Sequence, residues 1–134
     1  MAVALTHAQR LDRAMTEADL QRLVTDMATI LGWSYVHFRP AQTKRGWRTP
    51  VEGPLGAGWP DLVLLRVRDR RLIFAELKRE GGTLSADQAA VLAGLEAVAG
   101  KQYYDDGWPG PPRIEVVVWR PSDLTEGRIQ AVLT

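Results

Sequence analysis

The sequence predicts a single α/β domain, because segments with helical periodicity alternate with short apolar strands along a chain of domain size. The chain has 134 residues, which suffices for one modest hydrophobic core and is too short for two. Apolar residues recur at helical spacing between Leu20 and Leu31 and again between Val91 and Val98. Shorter apolar runs bounded by turn residues lie between these segments and after them, which is typical of strands.

The first helix is predicted to follow Thr16 and to end at Gly32. Thr16 is a suitable N-cap, and the apolar positions after it form one stripe on the helix surface. Glu17 lies along this stripe, although a first-turn acid is also explained by the helix dipole alone. Residues 1–14 contain no apolar run of secretory length. We expect them to be an N-terminal arm that need not be ordered, ahead of a domain over residues 15–134.

A β-hairpin is predicted in the middle of the chain, after a strand over residues 33–38. Its arms are residues 62–67 and 72–75, and the turn between them is polar. This hairpin brings Asp61, at the start of one arm, beside Glu76, near the end of the other. Strand geometry puts Glu76 and Lys78 on one face and Leu77 on the opposite face. The basic residues at the tip either solvate the hairpin or bind phosphate, and they are Arg66, Arg68, Arg70 and Arg71.

The second half of the chain is predicted to form a helix, a strand and a terminal helix. Ser85 and Gln88 fit the S-x-x-Q capping box, and the helix after them ends near Gly100. Residues 114–119 are almost all apolar, as buried parallel strands are. A strand, helix, strand order implies a right-handed crossover and therefore a mixed sheet. Ser122 is expected to cap a terminal helix that runs through Leu133.

The carboxylates of Asp61 and Glu76 suit a hard divalent cation. Oxygen ligands from neighbouring strands favour Mg²⁺ or Mn²⁺, and the chain has no cysteine that would favour zinc. Such an ion activates water and stabilises developing charge in phosphodiester hydrolysis. The alternative for Glu76 and Lys78 is an ion pair on an exposed strand, which contributes little.

Five sequence elements together resemble the VRR-NUC family of the PD-(D/E)xK nuclease superfamily. They are Glu17, the motif Gly58-Trp59-Pro60-Asp61, the motif Glu76-Leu77-Lys78, Gln88, and the closing run over residues 118–124. The resemblance covers the chain from about residue 15 to its end. It implies a restriction-endonuclease-like fold, in which helices flank a mixed β-sheet, and metal-dependent cleavage of DNA.

The resemblance also implies roles for the site residues. Asp61, Glu76 and the backbone carbonyl of Leu77 would bind the metal, and Glu17 would bind a second ion or a metal-bound water. Lys78 would orient the attacking water and stabilise the phosphate as a cation, which we favour, or act as a base when neutral. Gln88 is either the capping residue of its helix or an active-site residue, and one side chain is not expected to serve readily in both roles.

Basic residues are concentrated around the motif. Ten Lys and Arg and four Asp and Glu lie between Arg39 and Arg79, against seven and twelve elsewhere. This asymmetry is typical of a phosphate-binding face. Residues 39–58 are expected to be a mobile basic loop over the site, while the alternative is an insertion without a role. The candidate DNA contacts are His37, Arg39, Lys44, Arg45, Arg48 and Arg79; we do not expect His37 to be a metal ligand.

The expected function is that of a DNA endonuclease selective for branched substrates such as a four-way junction or a flap. The alternatives are a DNA-binding or scaffold module without cleavage, and a nicking or degradative nuclease without structural preference. A carboxylate glycosidase explains neither the lysine nor the basic loop. We expect a cytoplasmic protein, in the host cytoplasm if viral, with no membrane partner. Resolution of a four-way junction requires two symmetric cuts, and we therefore expect a homodimer with two sites. Its apolar contacts would come from residues 103–112, which include Trp108, or from the terminal helix.

Overall fold

A computed structural model describes residues 3–38, 41–43, 46–48, 51–100 and 113–134. Its helices are α1 (His7–Ala14), α2 (Glu17–Ile30), α3 (Ala86–Ala99), α4 (Pro121–Thr125) and α5 (Arg128–Leu133). Its strands are β1 (Ser34–His37), β2 (Ala41–Thr43), β3 (Gly46–Arg48), β4 (Leu62–Arg66), β5 (Arg71–Leu77) and β6 (Arg113–Trp119). Two 3-10 turns lie at Gly56–Gly58, here named the motif turn, and at Val67–Asp69. The predicted α/β class is confirmed.

Four strands form one mixed sheet in the order β1-β4-β5-β6. β1 and β5 both run antiparallel to β4, and β6 runs parallel to β5. In the hairpin register Leu62 lies opposite Ala75. Asp61, which precedes Leu62, therefore lies beside Glu76, which follows Ala75. The predicted hairpin and the predicted mixed sheet are both confirmed.

The two faces of this sheet are covered by different helices. Leu62, Ile73 and Leu77 are fully buried on one face, named here the core face, where they pack with residues of α2 and α5 in a single cluster. The opposite face, named here the α3 face, carries Phe74 and Glu76. α3 lies over β6 and buries Leu92. Most of β6 is half-buried rather than buried as we expected, and only Trp119 in it is buried.

A short helix lies in the segment that we expected to be an arm. Helix α1 begins with a capping box in which Thr6 and Gln9 exchange backbone and side-chain hydrogen bonds. Asp12 is buried and accepts a hydrogen bond from the Thr125 hydroxyl in α4. This helix was not predicted because its stabilising contacts are polar, and Leu11, its one large apolar residue, is exposed.

The segment over residues 39–58 contains regular structure that we did not predict. Strands β2 and β3 pair with each other in a second, two-stranded sheet, and the motif turn follows. A loop of this length without secondary structure is uncommon in a compact domain, and the pair of strands β2 and β3 interrupts this one. Arg39, Lys44 and Arg45 lie outside the described residues.

The terminal helix is divided into α4 and α5, and the prediction of one helix capped by Ser122 was wrong. α4 has Arg120 as its N-cap and Pro121 at its first position, where the fixed φ of proline suits a helix start. Gly127 has a φ of 82° and separates α4 from α5. The Ser122 backbone N–H and hydroxyl instead donate to the Glu80 carboxylate at 3.0 and 2.8 Å.

Two of the four arginines near the hairpin tip lie in the interior. We expected these residues either to solvate the hairpin or to bind phosphate, and neither interpretation holds for these two. Arg66 is 3% exposed, and its guanidinium binds Asp69 and the backbone carbonyls of Leu31 and Leu133. Arg71 is 4% exposed and binds both carboxylate oxygens of Glu115. Their register places them opposite each other on the core face, where both stack on Trp33.

Candidate active site

Glu76 is the centre of a group of polar side chains on the α3 face. Its side chain is 2% exposed although it carries a carboxylate. One oxygen, Oε1, accepts a hydrogen bond from the Gln88 amide nitrogen at 3.0 Å and lies 3.8 Å from Lys78 Nζ. The other oxygen, Oε2, is buried and has no hydrogen-bond partner among the described residues. A buried carboxylate oxygen without a partner is energetically costly.

Asp61 lies beside Glu76, as the hairpin predicted. Its Oδ2 accepts the backbone N–H of Leu77 at 2.8 Å, so one carboxylate oxygen is fixed by the strand that carries Glu76. Its backbone carbonyl accepts the N–H of Phe38 at 2.9 Å, which extends the pairing of β1 and β4 by one residue. The two carboxylates are therefore held by neighbouring strands rather than by flexible segments.

Burial is the main reason that the pKa of Glu76 is raised, from 4.5 to about 8. The charge of Asp61 raises this pKa further, whereas the charge of Lys78 lowers it. The charge of Glu17 also raises the pKa of Glu76, so the first residue of α2 acts electrostatically on the same site. Burial and the neighbouring negative charges therefore disfavour the ionised form of Glu76.

Gln88 caps α3 and contacts Glu76 at the same time, although we expected capping and a position in the site to be alternatives. Its Oε1 accepts the backbone N–H of Ser85 at 2.9 Å, and its own backbone N–H donates to the Ser85 hydroxyl at 3.1 Å, which completes the capping box. Its Nε2 donates to Glu76 at the same time. An amide has an acceptor end and a donor end, so the expectation that one side chain could not serve both was wrong.

Lys78 and Leu77 lie on opposite faces, as strand geometry predicted. The Lys78 side chain is 13% exposed and shares the α3 face with Glu76. The Leu77 side chain is fully buried in the core cluster. Its backbone N–H is the donor to Asp61, while the role of its carbonyl as a metal ligand stays a prediction.

His37 is not brought to the carboxylates. In the register of the sheet, His37 lies opposite Leu62, and Leu62 lies opposite Ala75. Because paired residues share a face, His37 is on the core face, and Glu76, the residue after Ala75, is on the other. His37 is exposed in β1, where all four residues are exposed. Its contact with DNA stays a prediction.

The basic candidates fall into three groups. Arg79 is exposed immediately after Lys78. Arg48 ends β3, of which the structure describes the backbone. Arg39, Lys44 and Arg45 are outside the described residues, so their contact with DNA also stays a prediction.

Three aromatic rings, one of them in the Gly58–Asp61 motif, form a group that was not predicted from the sequence. Trp59 contacts Phe38 and Phe74 edge to face, with ring centroids 6.1 and 5.7 Å apart. Phe74 precedes Glu76 by two residues on the same face. The aromatic group therefore packs beside the carboxylates, and the alternation of residues 74, 76 and 78 was the signal that could have indicated it.

The donor set fits a divalent cation in part. Among the residues that the structure describes, no three His, Cys, Asp or Glu side chains form a cluster that could hold a metal by themselves. Mg²⁺, however, is commonly held by one or two carboxylates together with water and substrate phosphates. The buried Oε2 of Glu76, which lacks a partner in the described structure, faces no competing donor and suits such an ion.

The fold and the site define an α/β domain with a paired-carboxylate and lysine site on one sheet face. A model of the VRR-NUC domain matches residues 36–101, a segment that contains Asp61, Glu76, Lys78 and Gln88. The chain therefore carries a domain of the VRR-NUC family, which is a nuclease-type family, and the resemblance seen in the sequence is confirmed. No curated protein and no solved structure matches the chain. No helix in the described parts of the chain has the length and apolar character to span a membrane.

Proposed function

We propose that the protein is a divalent-metal-dependent DNA endonuclease with a preference for branched DNA. One observation carries the proposal. Glu76 is a buried carboxylate that lies beside Asp61, has an oxygen without a partner among the described residues, and has a raised pKa. A site that disfavours its own ionised form in this way suits a bound cation, which removes the penalty.

Asp61 and Glu76 would hold the ion, together with the Leu77 carbonyl, and Glu17 would add a third negative charge. Mg²⁺ or Mn²⁺ would lower the pKa of water and act as a Lewis acid on the phosphate. Asp61 is oriented for this role by the Leu77 N–H, and Glu76 by the Gln88 amide. Both carboxylates are thus positioned before substrate arrives, which lowers the cost of reaching the reactive geometry.

Lys78 would act on the phosphate rather than on the ion. Its Nζ lies 3.8 Å from Glu76 Oε1. As a cation it would attract the negative charge that develops on the phosphoryl oxygens and orient the attacking water. This role needs no change in its protonation during the reaction.

The test is a cleavage assay on junction, flap, nicked, single-stranded and linear duplex DNA with Mg²⁺, with Mn²⁺ and with EDTA. We expect cleavage with either ion and none with EDTA. Asp61→Asn and Glu76→Gln should each lose activity by several orders of magnitude and retain DNA binding. Glu96→Gln removes an exposed carboxylate of α3 and serves as the matched control, with activity close to that of the parent protein.

The same assay separates the alternatives. A binding or scaffold module would bind branched DNA and cut no substrate under any condition. A nicking or degradative nuclease would cut linear duplex as well as the junction. Activity in Asp61→Asn or Glu76→Gln equal to that of the parent, after exclusion of a contaminating nuclease, would contradict the assigned site.

A further inference from the structure

The motif turn rests directly on the backbone of α3. Gly58 is buried, and a Cβ atom added to it would lie 2.2 Å from the Asp87 carbonyl oxygen, 2.5 Å from its carbon and 2.9 Å from the Gln88 nitrogen. All three are backbone atoms of the first turn of a helix, so no side-chain rotation relieves such a contact. The close approach therefore requires glycine.

The same helical turn carries the amide that holds Glu76. Asp87 and Gln88 are the second and third residues of α3, and the Gln88 side chain spans from Ser85 to Glu76. A displacement of this turn moves the Gln88 Nε2 relative to Glu76 Oε1, which are 3.0 Å apart. Hydrogen bonds weaken steeply with distance and angle, so a shift of several tenths of an ångström is sufficient to weaken this one.

We propose that Gly58 is a positioning residue, which fixes the start of α3 so that Gln88 holds Glu76 in the active site. Asp61, three residues after Gly58, is fixed to the strand of Glu76 by the Leu77 N–H. The segment from Gly58 to Asp61 therefore positions both carboxylates. It contains Asp61 itself, and it acts on Glu76 through the contact of Gly58 with α3. The relevance of this contact to cleavage rests on the proposed function, whereas the contact itself does not.

Gly94 provides a matched control within the same helix. It also lies in α3, but a Cβ atom at Gly94 would meet nothing within 4 Å. Gly94→Ala and Gly58→Ala make the same chemical change, and only the second presses on backbone. Differences between the two variants therefore report the contact of the motif turn and not the loss of a glycine.

The first measurement is hydrogen exchange, which is independent of activity. The Gln88 backbone N–H donates to Ser85 Oγ, and the Asp19 backbone N–H donates to Thr16 Oγ1 in the equivalent capping box of α2. Gly58→Ala should raise the exchange rate at Gln88 on the order of tenfold and leave Asp19 unchanged. Gly94→Ala should change neither rate.

The second measurement is a double-mutant cycle with Gln88→Ala under the cleavage conditions. If Gly58 acts through Gln88, Gly58→Ala lowers kcat with little change in KM, and it lowers kcat no further when Gln88 is already alanine. Additive losses would overturn the proposal, as would unchanged exchange at Gln88 in Gly58→Ala. Loss of cooperative unfolding in Gly58→Ala would also overturn it, because Gly58 would then be a requirement of the whole fold. A parent protein without cleavage activity would contradict the proposed function and leave the exchange result valid.

Discussion

Glu76 shows at the residue scale how much of the site follows from strand alternation. That Glu76 and Lys78 share a face, with Leu77 on the other, follows from the period of two in a strand and is confirmed by the structure. The burial of Glu76 could not be read in this way, because it depends on α3, whose position over the sheet is a tertiary feature. The same limit applies to His37, whose face depends on the register between β1 and β4.

The raised pKa of Glu76 predicts a pH dependence of stability in the metal-free protein. Because the folded-state pKa is raised to about 8 from 4.5, folding retains a proton that the unfolded chain loses. The contribution is fully present below about pH 4.5, and it is lost as the pH rises towards about 8. In EDTA, urea unfolding should therefore give a lower free energy of unfolding at about pH 8 than at about pH 5.

Glu76→Gln is the matched variant for this measurement. Glutamine has no ionisable group, so this variant should lack the fall in stability over the same pH range. Mg²⁺ should restore part of the stability of the parent protein at the higher pH, since a bound ion stabilises the folded state. An identical pH profile for the parent and for Glu76→Gln would show that another group is responsible.

Lys78 is expected to contribute to the rate of cleavage and not to the binding of the metal. Lys78→Ala should lower kcat on the order of a hundredfold or more, because a charge that acts in the transition state is removed. The affinity for the divalent metal should change much less. It is measured by calorimetric titration of the ion into the free protein. Loss of metal binding in step with activity would instead make Lys78 an organiser of the carboxylates.

At the scale of elements, capping patterns predicted the starts of two helices correctly and the start of the terminal helix wrongly. Thr16 and Ser85 are the observed N-caps of α2 and α3, at the predicted positions. α1 was missed because it has almost no apolar face, although Thr6 and Gln9 form a capping box. The division of the terminal helix follows from the left-handed conformation of Gly127, which the spacing of apolar residues does not indicate.

The terminal helix α5 does not offer all of its apolar residues to a partner. Ile129 and Leu133 are fully buried in the core, so they are not available for the dimer interface that we expected there.

Arg66 connects several elements, and its removal should destabilise the fold. Its guanidinium binds Asp69, the end of α2 and the end of α5 while stacking on Trp33. Arg66→Met should lower the free energy of unfolding by about 3 kcal/mol, because several buried acceptors lose their charged donor. Urea denaturation measures this change.

Arg68→Met is the matched control for Arg66→Met. Arg68 is exposed, and its guanidinium donates to the Leu31 carbonyl at 3.3 Å. This control should change stability by no more than about 0.5 kcal/mol. Equal effects of the two substitutions would mean that the interior contacts of Arg66 contribute little beyond those of a surface arginine.

For the whole molecule, the excess of basic residues near the motif overstates the charge available to DNA. Arg66 and Arg71 belong to that excess, yet both are buried with acidic partners. Sequence counting cannot separate interior ion pairs from surface charge, since both consist of the same residues. The proposed electrostatic contact with DNA would therefore use exposed basic residues such as Arg79, and not Arg66 or Arg71.

The proposed preference for branched DNA predicts a two-fold homodimer. A four-way junction has two symmetry-related strands to be cut, and one copy of this domain has one site. Light scattering at micromolar concentration should give a mass near twice 14.9 kDa, with or without junction DNA. A monomer under both conditions, together with equal cleavage of linear duplex, would contradict both the assembly and the substrate preference.

The two hydrogen bonds of Gln88 have a consequence for protein design. A designer who optimises α3 alone would regard glutamate as equivalent at this position, because S-x-x-E is as good a capping box as S-x-x-Q, and an acid in the first turn suits the dipole. Glutamate would retain the acceptor for Ser85, but it would replace the donor to Glu76 with a further carboxylate. A choice that is neutral for the helix thus becomes decisive for the site, and consensus or stability-driven redesign of this domain should keep position 88 fixed.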